Sequence, residues 1–467
     1  MRAYETSKIG SNRGAPRLWL EGMKAVLAGF MPGKRFNVRK DVEKQMLVLE
    51  LSEVGFRVVS RKVKANKEVP VIDINSKELL DMYEGLSAVR IVVQNSRIVI
   101  LPLAVDIAKQ ERMARLMRKL DTGEALSIGS IAHGGGVLSH ALHTGLASAG
   151  VESKLSFANE IRADLMEQAF KSNDAWSKET IPLVAPMQYL AFDAWAMDKL
   201  PKVEIFEGGV PCSGASVAGR GKRGAGHAEA HPEVGHMVVP LLAMIAKVNP
   251  IACVIENVPA YGGSASMCII RNFLRDFGYV VHETELDATD WNSHEKRKRL
   301  CVVAVSDGLQ FDFSKLQRPP KVATSLADVL EEIADDDPRW SPMQGLKDKQ
   351  ERDIAQGKGF LMQIVSPDDA TCPTLTKGYA KVRSTDPKVQ HPKDKNLLRQ
   401  ILPTEHCSIK QIPKHLIEGL STTTAHELLG QSICYQPFVA VGRCIGHMLN
   451  ALQSAVAVMR PTLVACG

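Results

Sequence analysis

No stretch of the chain approaches the roughly 18 consecutive apolar residues of a membrane helix. The opening Met1-Arg-Ala-Tyr-Glu-Thr lacks the apolar core of a secretory signal. No two cysteines form a Cys-x-x-Cys pair, and their total, nine, is odd. This argues against a disulfide frame and a cysteine-based structural zinc site, so no metal is expected. It points to reduced thiols in a cytosol. No charge of one sign dominates: the formal net charge of +6 permits a nucleic-acid partner without requiring one. No nuclease motif is present either. Hydrophobic and charged contents of 45% and 24% are those of an ordinary globular protein, and 467 residues suffice for two or three domains.

Residues 1–15 are polar with glycine and proline and read as a flexible tail. Residues 16–102 read as a small β-rich domain in which a strand-helix-strand-strand unit occurs twice, about 50 residues apart. Residues 103–122 read as a basic helical connector carrying Lys109, Arg112, Arg115, Arg118 and Lys119, either solvated or in contact with phosphates. From 123 to 305 short apolar strands alternate with helices, with strands expected at 125–128, 155–158, 191–192, 203–206, 252–255, 279–281 and 300–305. That rhythm predicts an α/β fold with a doubly wound, mostly parallel sheet. Residues 306–398 lose the rhythm, and 399–467 are helical again.

Ligands of such sheets bind beyond the strand ends. After the first strand comes Ile131-Ala-His-Gly-Gly-Gly136, leading into a helix. Gly134 and Gly135 allow close backbone approach, and a helix N-terminus offers free N–H groups. Glu160, ending the next strand, suits ribose hydroxyls. Asp193, placed at the end of a third strand, suits an adenine amine. A nucleoside cofactor is therefore expected.

Further along, Gly208-Gly-Val-Pro-Cys-Ser-Gly-Ala-Ser216 follows a strand, and Glu256-Asn257-Val258 ends another. Arg297-Lys-Arg299 opens a third. A thiolate at Cys212 is a strong nucleophile near neutral pH. A carboxyl at Glu256 can donate a proton to a bound substrate or share one with it. Arg297 and Arg299 alternate, and so share a face from which to hold a carbonyl, Glu256 or a phosphate. The loop 217–227 combines four glycines with Arg220, Lys222 and Arg223, as a lid that meets phosphates would.

Taken in order, Pro211-Cys212, Glu256-Asn257-Val258, Arg297-x-Arg299 and Gly430-Gln431-Ser432 resemble the motif set of the DNA cytosine-5 methyltransferase family, over about 125–460. The resemblance implies a Rossmann-like methyltransferase fold with a smaller target-recognition domain at 306–398. It implies S-adenosylmethionine bound by Ile131, Gly134, Gly135, Glu160, Asp193, Gln431 and Ser432. Cys212, Glu256, Arg297 and Arg299 would be catalytic. Double-stranded DNA would meet Pro211, Ser216, Arg220, Asn257, Thr374 and Lys377, its target base flipped into the pocket. Arg399-Gln-Ile-Leu-Pro-Thr-Glu405 resembles the motif that organises the target-recognition domain.

This chain departs from the family at three places. The glycine turn has Ile131 instead of an aromatic, and His133 instead of a glycine. Glu295 stands before the arginine pair where a glutamine is usual, and Gln431 stands where an asparagine is usual. The first N-terminal unit resembles the AbrB/SymE type of swapped-hairpin barrel, which implies a DNA-binding domain. The reading is a cytoplasmic, monomeric enzyme of bacterial or phage origin. The alternatives are an RNA cytosine-5 methyltransferase and a non-catalytic DNA-binding regulator.

Overall fold

The computed structural model describes residues 1–211, 227–359 and 361–459. They form two compact units, 1–111 and the described residues from 112 onward.

In the first unit, two antiparallel sheets enclose one apolar core that includes Leu18, Ile72, Leu49, Ile91 and Ile100. The repeat is visible in the pairing. The first strands of the two halves, Ala15–Glu21 and Lys67–Asn75, pair with each other. So do their last strands, Met46–Leu51 and Arg97–Pro102. Tyr83 ties the halves together: its buried hydroxyl accepts from the Leu47 amide (3.1 Å) and donates to the Ile100 carbonyl (2.9 Å). The flexible tail expected at 1–15 is instead a strand, Ala3–Lys8, which forms the edge of the sheet beside Ala88–Gln94, followed by a hairpin onto 15–17. Its inward positions are the half-buried Ala3, Glu5 and Ser7, so the alternation carries almost no hydropathy signal.

The second unit is built on a seven-stranded sheet: β1 (Leu126–Ile131), β2 (Ser153–Glu160), β3 (Ile181–Val184), β4 (Ile205–Gly208), β5 (Ala252–Asn257), β6 (Tyr279–Asp287) and β7 (Lys298–Ser306). Its order is β3-β2-β1-β4-β5-β7-β6, with only β7 antiparallel to its neighbours. The order reverses between β1 and β4, which creates a switch point where their carboxyl ends open a crevice. Both strands are buried throughout.

Apolar helices cover both faces. On one face α1 (Val137–Ser148) packs against α9 (Tyr435–Met459), the long helix near the end of the unit. Contact there is backbone to backbone: a Cβ on Gly145 would lie 2.2 Å from the Val439 carbonyl oxygen. On the other face lie α5 (Val238–Val248) and α6 (Ala265–Asp276).

Two further expectations need correction. Residues 191–192 are not a strand. They end the helix α3 (Met187–Phe192), and the third strand is 181–184. The basic helix is not a solvated connector through its second half. Arg112 is fully buried, donating to Ser306 Oγ (2.9 Å) and the Gly278 carbonyl (2.8 Å) and lying 4.1 Å over the Tyr279 ring. Arg115 and Lys119 both reach the buried Glu204 carboxylate, at 2.6 and 2.8 Å. These cations secure the helix to the strand starts. Among these residues it is Arg118 that remains mostly exposed, beside Glu124.

Residues 306–398 form turns, a helix Gln344–Ala355 and a small sheet of Ile364–Val365, Lys388–Gln390 and Leu398–Arg399, with a core around Leu375, Tyr379 and Val389. The helices α7 (Pro403–Ile409) and α8 (Thr422–Gln431) follow, before α9.

Candidate active site

The glycine turn leaves β1 at Ile131. Ala132, Gly134 and Gly136 all take positive φ, which glycine adopts without steric cost. The Gly134 amide donates to Glu160 Oε2 at 2.7 Å, and Glu160 Oε1 accepts from the Arg162 amide at 3.0 Å. Glu160 at the end of β2 thus pins the turn while each oxygen keeps acceptor capacity.

His133 replaces a glycine of the family pattern without blocking the crevice, because it turns inward. Trp176 Nε1 donates to its Nε2 (3.2 Å), which assigns the proton to Nδ1, facing Ser130 Oγ at 2.7 Å. Burial, helped by nearby His143, pushes it down to about 3, so it stays neutral.

Under this turn lies Glu207, on β4. It is a buried acid that sequence reading misses because it stands at an apolar strand end, where an exposed acid is ordinary, just before the Gly208–Ser216 run that draws the attention. Burial pushes its carboxyl up to about 8, against the pull of the Ser130 and Ser139 hydroxyls. The folded protein therefore keeps a proton that the unfolded chain releases above pH 4.5. The associated stability is fully present below that pH and is lost as pH rises through about 8. Relative to Glu207→Gln, wild type should lose up to about 1.4 kcal/mol per pH unit across that window. Urea titrations at pH 5, 6.5 and 8 check this, and parallel pH profiles for the two proteins would remove the effect.

Asp193 does not end a strand. It joins α3 to α4 (Ala194–Lys199), and its exposed carboxylate caps the Trp195 and Ala196 amides at 2.9 and 3.1 Å. Aspartate suits a helix N-cap as well as a strand end, and the apolar residues before it masked the difference.

β4 leaves the sheet through Gly208, Gly209, Val210 and Pro211. A Cβ on Gly209 would stand 2.3 Å from the Glu256 carbonyl oxygen, so glycine lets this exit run against β5. Asn257 Nδ2 donates to the Val210 carbonyl (3.0 Å), and its Oδ1 accepts from the Val258 amide (2.9 Å). Asn257 is thus a clamp between two strand ends. Cys212, Ser216, Arg220 and the lid-like residues 217–226 lie outside the described residues.

Glu256 sits at the end of β5, about one-fifth exposed, with Arg299 Nε 2.8 Å from its Oε1. Arg297 takes different partners, although the two arginines were expected to work from one face. It is buried, with Glu295 Oε1 at 3.4 Å and the Gly430 carbonyl at 3.2 Å. Glu295 in turn accepts from the Leu375 amide (2.7 Å) and the Cys434 thiol (3.3 Å), with Lys410 Nζ 3.7 Å away. Burial alone would raise the Glu295 carboxyl. Lys410, Arg297 and the Leu375 amide outweigh it and hold the group below its ordinary value. Burial pushes Lys410 down to about 8. The acid standing where the family has a glutamine thus has a buried lysine and arginine beside it. Lys410 carries no motif that would have singled it out.

Thr374 and Lys377 meet the same region. The Thr374 hydroxyl donates to the Lys296 carbonyl (2.7 Å), and Lys377 Nζ reaches Gln431 Oε1 (3.4 Å). Gln431 is exposed at the end of α8, while Ser432 caps that helix, its hydroxyl donating to the Leu428 carbonyl at 2.7 Å.

A glycine turn and an acid at the ends of β1 and β2, beside an acid–arginine pair on β5 and β7, define a Rossmann-like α/β protein of the methyltransferase kind. Residues 139–447 match the family model for C-5 cytosine-specific DNA methylase, and the chain belongs to that family. It is 25% identical over 248 residues to the Type II methyltransferase M.DsaV of Dactylococcopsis salina, covering 50% of this chain and 66% of that protein. It is 28% identical over 240 residues to the Type II methyltransferase M.MspI of Moraxella sp, covering 50% and 54%. The chain therefore spans less than two thirds of either relative. Its fold resembles the S. pombe Dnmt2 methyltransferase (TM-score 0.53, 18% identity) and the Entamoeba histolytica methyltransferase EhMeth (0.54, 17%). In each case the match covers 70% of this chain and 99% of the other.

Proposed function

We propose that this protein methylates carbon 5 of cytosine in double-stranded DNA. The observation that carries the reading is the Glu256–Arg299 pair, 2.8 Å apart beside the exit of β4 that leads into Pro211-Cys212. Carbon 5 of cytosine is a poor nucleophile until something adds to carbon 6. In this reading the Cys212 thiolate adds there, and Glu256 shares a proton with ring nitrogen 3 and the exocyclic amine. Arg299 orients that carboxyl. Arg297, through Glu295, Lys410 and Gly430, holds the strand entry and residues 374–377 together, so it is a positioning residue. After transfer solvent water takes the proton from carbon 5, the carbon 6–sulfur bond breaks to release the Cys212 thiolate, and the ring regains aromaticity.

The residues around the glycine turn suit S-adenosylmethionine: positive-φ glycines, a helix start, and Glu160 with acceptor capacity to spare. When bound, that cofactor supplies the methyl group. Ile131, Gly134, Gly135, Glu160, Gln431 and Ser432 would hold it. Asp193 is engaged in capping and is left out of that set. Arg220, Ser216, Pro211, Thr374 and Lys377 would face the DNA, while Asn257, buried with both polar atoms engaged, acts as a clamp and is left out of that set. The relatives carry Type II names, so we infer that a separate restriction enzyme is the natural companion of this activity.

Glu160→Ala should weaken S-adenosylmethionine binding about 10- to 100-fold, the loss of hydrogen bonds to a charged group. Isothermal titration of the full chain measures it. The reaction is tested by transfer of labelled methyl from S-adenosylmethionine to duplex DNA, RNA and free nucleotides, followed by nucleoside analysis. The expected result is 5-methylcytosine in DNA, absent with Cys212→Ser. Methylation of RNA alone, or binding without transfer, would overturn the proposal.

A further inference from the structure

We propose that His140, Asp174 and His415 form a binding site for a divalent transition-metal ion of the zinc class. One ligand atom from each lies within 4.8 Å of the others. Asp174 Oδ2 is 3.9 Å from His140 Nε2 and 3.8 Å from His415 Nε2. A point equidistant from atoms so spaced lies about 2.5 Å from each, against roughly 2.0–2.2 Å for zinc–nitrogen and zinc–oxygen bonds. Closure needs movements of a few tenths of an ångström, and Asp174 is on the surface with an 82% exposed side chain.

The surrounding hydrogen bonds present His140 as a ligand. The Thr144 hydroxyl donates to the His140 carbonyl (2.9 Å), so its oxygen accepts from the Tyr435 hydroxyl (2.8 Å). The Tyr435 oxygen then accepts from His140 Nδ1–H (2.6 Å). This chain leaves the lone pair on Nε2, which stands 3.9 Å from Asp174 Oδ2. Outer-shell partners that fix a tautomer in this way are typical of metal-bound histidines. His415 Nε2 is buried and has no hydrogen-bond partner. The two rings lie 5.5 Å apart and tilted, without stacking. Two imidazoles and one carboxylate leave a fourth position for water, a donor set that suits zinc, cobalt or nickel. The expectation of no metal rested on cysteine spacing, which cannot register histidines distant in sequence.

The ion would join three segments of the second unit. His140 is on α1, which the glycine turn opens. Asp174 follows Asn173, whose side-chain Nδ2 donates to the Gly136 carbonyl (2.9 Å). His415 lies in the 3₁₀ turn Lys414–Ile417, ahead of α9.

The test uses untagged full-length protein stripped with chelator and titrated with Co²⁺, read by its visible d–d absorption, then challenged with Zn²⁺. One equivalent should bind with a four- or five-coordinate spectrum and be displaced by Zn²⁺. His415→Ala and Asp174→Asn, both at partly or fully exposed side chains, should each weaken Co²⁺ binding at least tenfold while keeping the metal-free circular dichroism of wild type. His236→Ala should bind normally. Absence of stoichiometric binding by wild type, undiminished binding in both variants, or equal loss in His236→Ala would overturn the proposal. None of these readouts depends on methyl transfer.

Discussion

Glu256→Gln should lower methyl transfer to duplex DNA by about 10²- to 10⁴-fold, the usual contribution of a positioned acid–base group. Folding and S-adenosylmethionine affinity should remain within about twofold of wild type. The amide keeps the shape of the side chain and its hydrogen bond from Arg299, 2.8 Å away. It loses the capacity to pass a proton. Glu256 is about one-fifth exposed, and a glutamine in its place keeps an oxygen acceptor for Arg299. Arg299→Met removes only the group that aims the carboxyl, and a smaller loss, about tenfold, is expected. Single-turnover transfer across pH 6–9 separates the two, because loss of the acid should alter the pH profile whereas loss of orientation should mainly scale it. Glu256→Gln turning over within threefold of wild type would remove Glu256 from the chemistry.

Removing one partner of the Arg399–Glu405 pair should destabilise the second unit by about 3–5 kcal/mol, the cost of an uncompensated buried charge. Arg399 donates to both carboxylate oxygens at 2.8 Å, and the two side chains are 3% and 0% exposed. The Leu402 and Glu331 amides donate to the same carboxylate at 2.7 and 2.8 Å. One acid therefore serves four donors, fixing the last strand of the small sheet to the first turn of α7 and to the 326–331 segment. Arg399→Leu leaves the buried Glu405 carboxylate without its counter-charge, while Glu405→Leu leaves the buried guanidinium with the Gln400 carbonyl (3.0 Å) but no carboxylate, and two amides unpaired. Asp337–Arg339, nearby but 19% and 48% exposed, should cost no more than about 1 kcal/mol when broken. Urea unfolding of the three variants makes the comparison. A loss below about 1 kcal/mol for both buried variants would show that the pair is not needed.

Much of this arrangement is legible in the sequence because the strand ends of a buried sheet must change from apolar to glycine or charge. Ile131, Phe206 and Ile255 each precede such a change, and the structure sets their strands side by side. Where that contrast fails, so does the reading. β3 is an exposed edge with a proline inside it, whereas Leu190-Ala-Phe192 is apolar but too short to display a helical period. The cations of the basic helix look solvated because their partners, Glu204, Asn249 and Ser306, are far away in sequence. Arg297 and Arg299 are two residues apart, yet one enters a buried network and the other meets Glu256. Only the three-dimensional positions of Glu295 and Gly430 decide which.

The close seating of α1 against α9 also sets a timetable. The helix that opens from the glycine turn finds its main neighbour about 300 residues later in synthesis, a delay of roughly 15–60 s at ordinary ribosome speeds. Until then the apolar side of α1, with Ala141, Leu142 and Leu146, has no cover from Phe438, Val441 and Ile445. The first unit, whose strands pair entirely within residues 1–111, is complete while that helix is still waiting. The nascent chain therefore passes through a long interval with one finished unit and one open sheet. Slowing elongation near residues 400–450 should lengthen the time during which a chaperone can hold it.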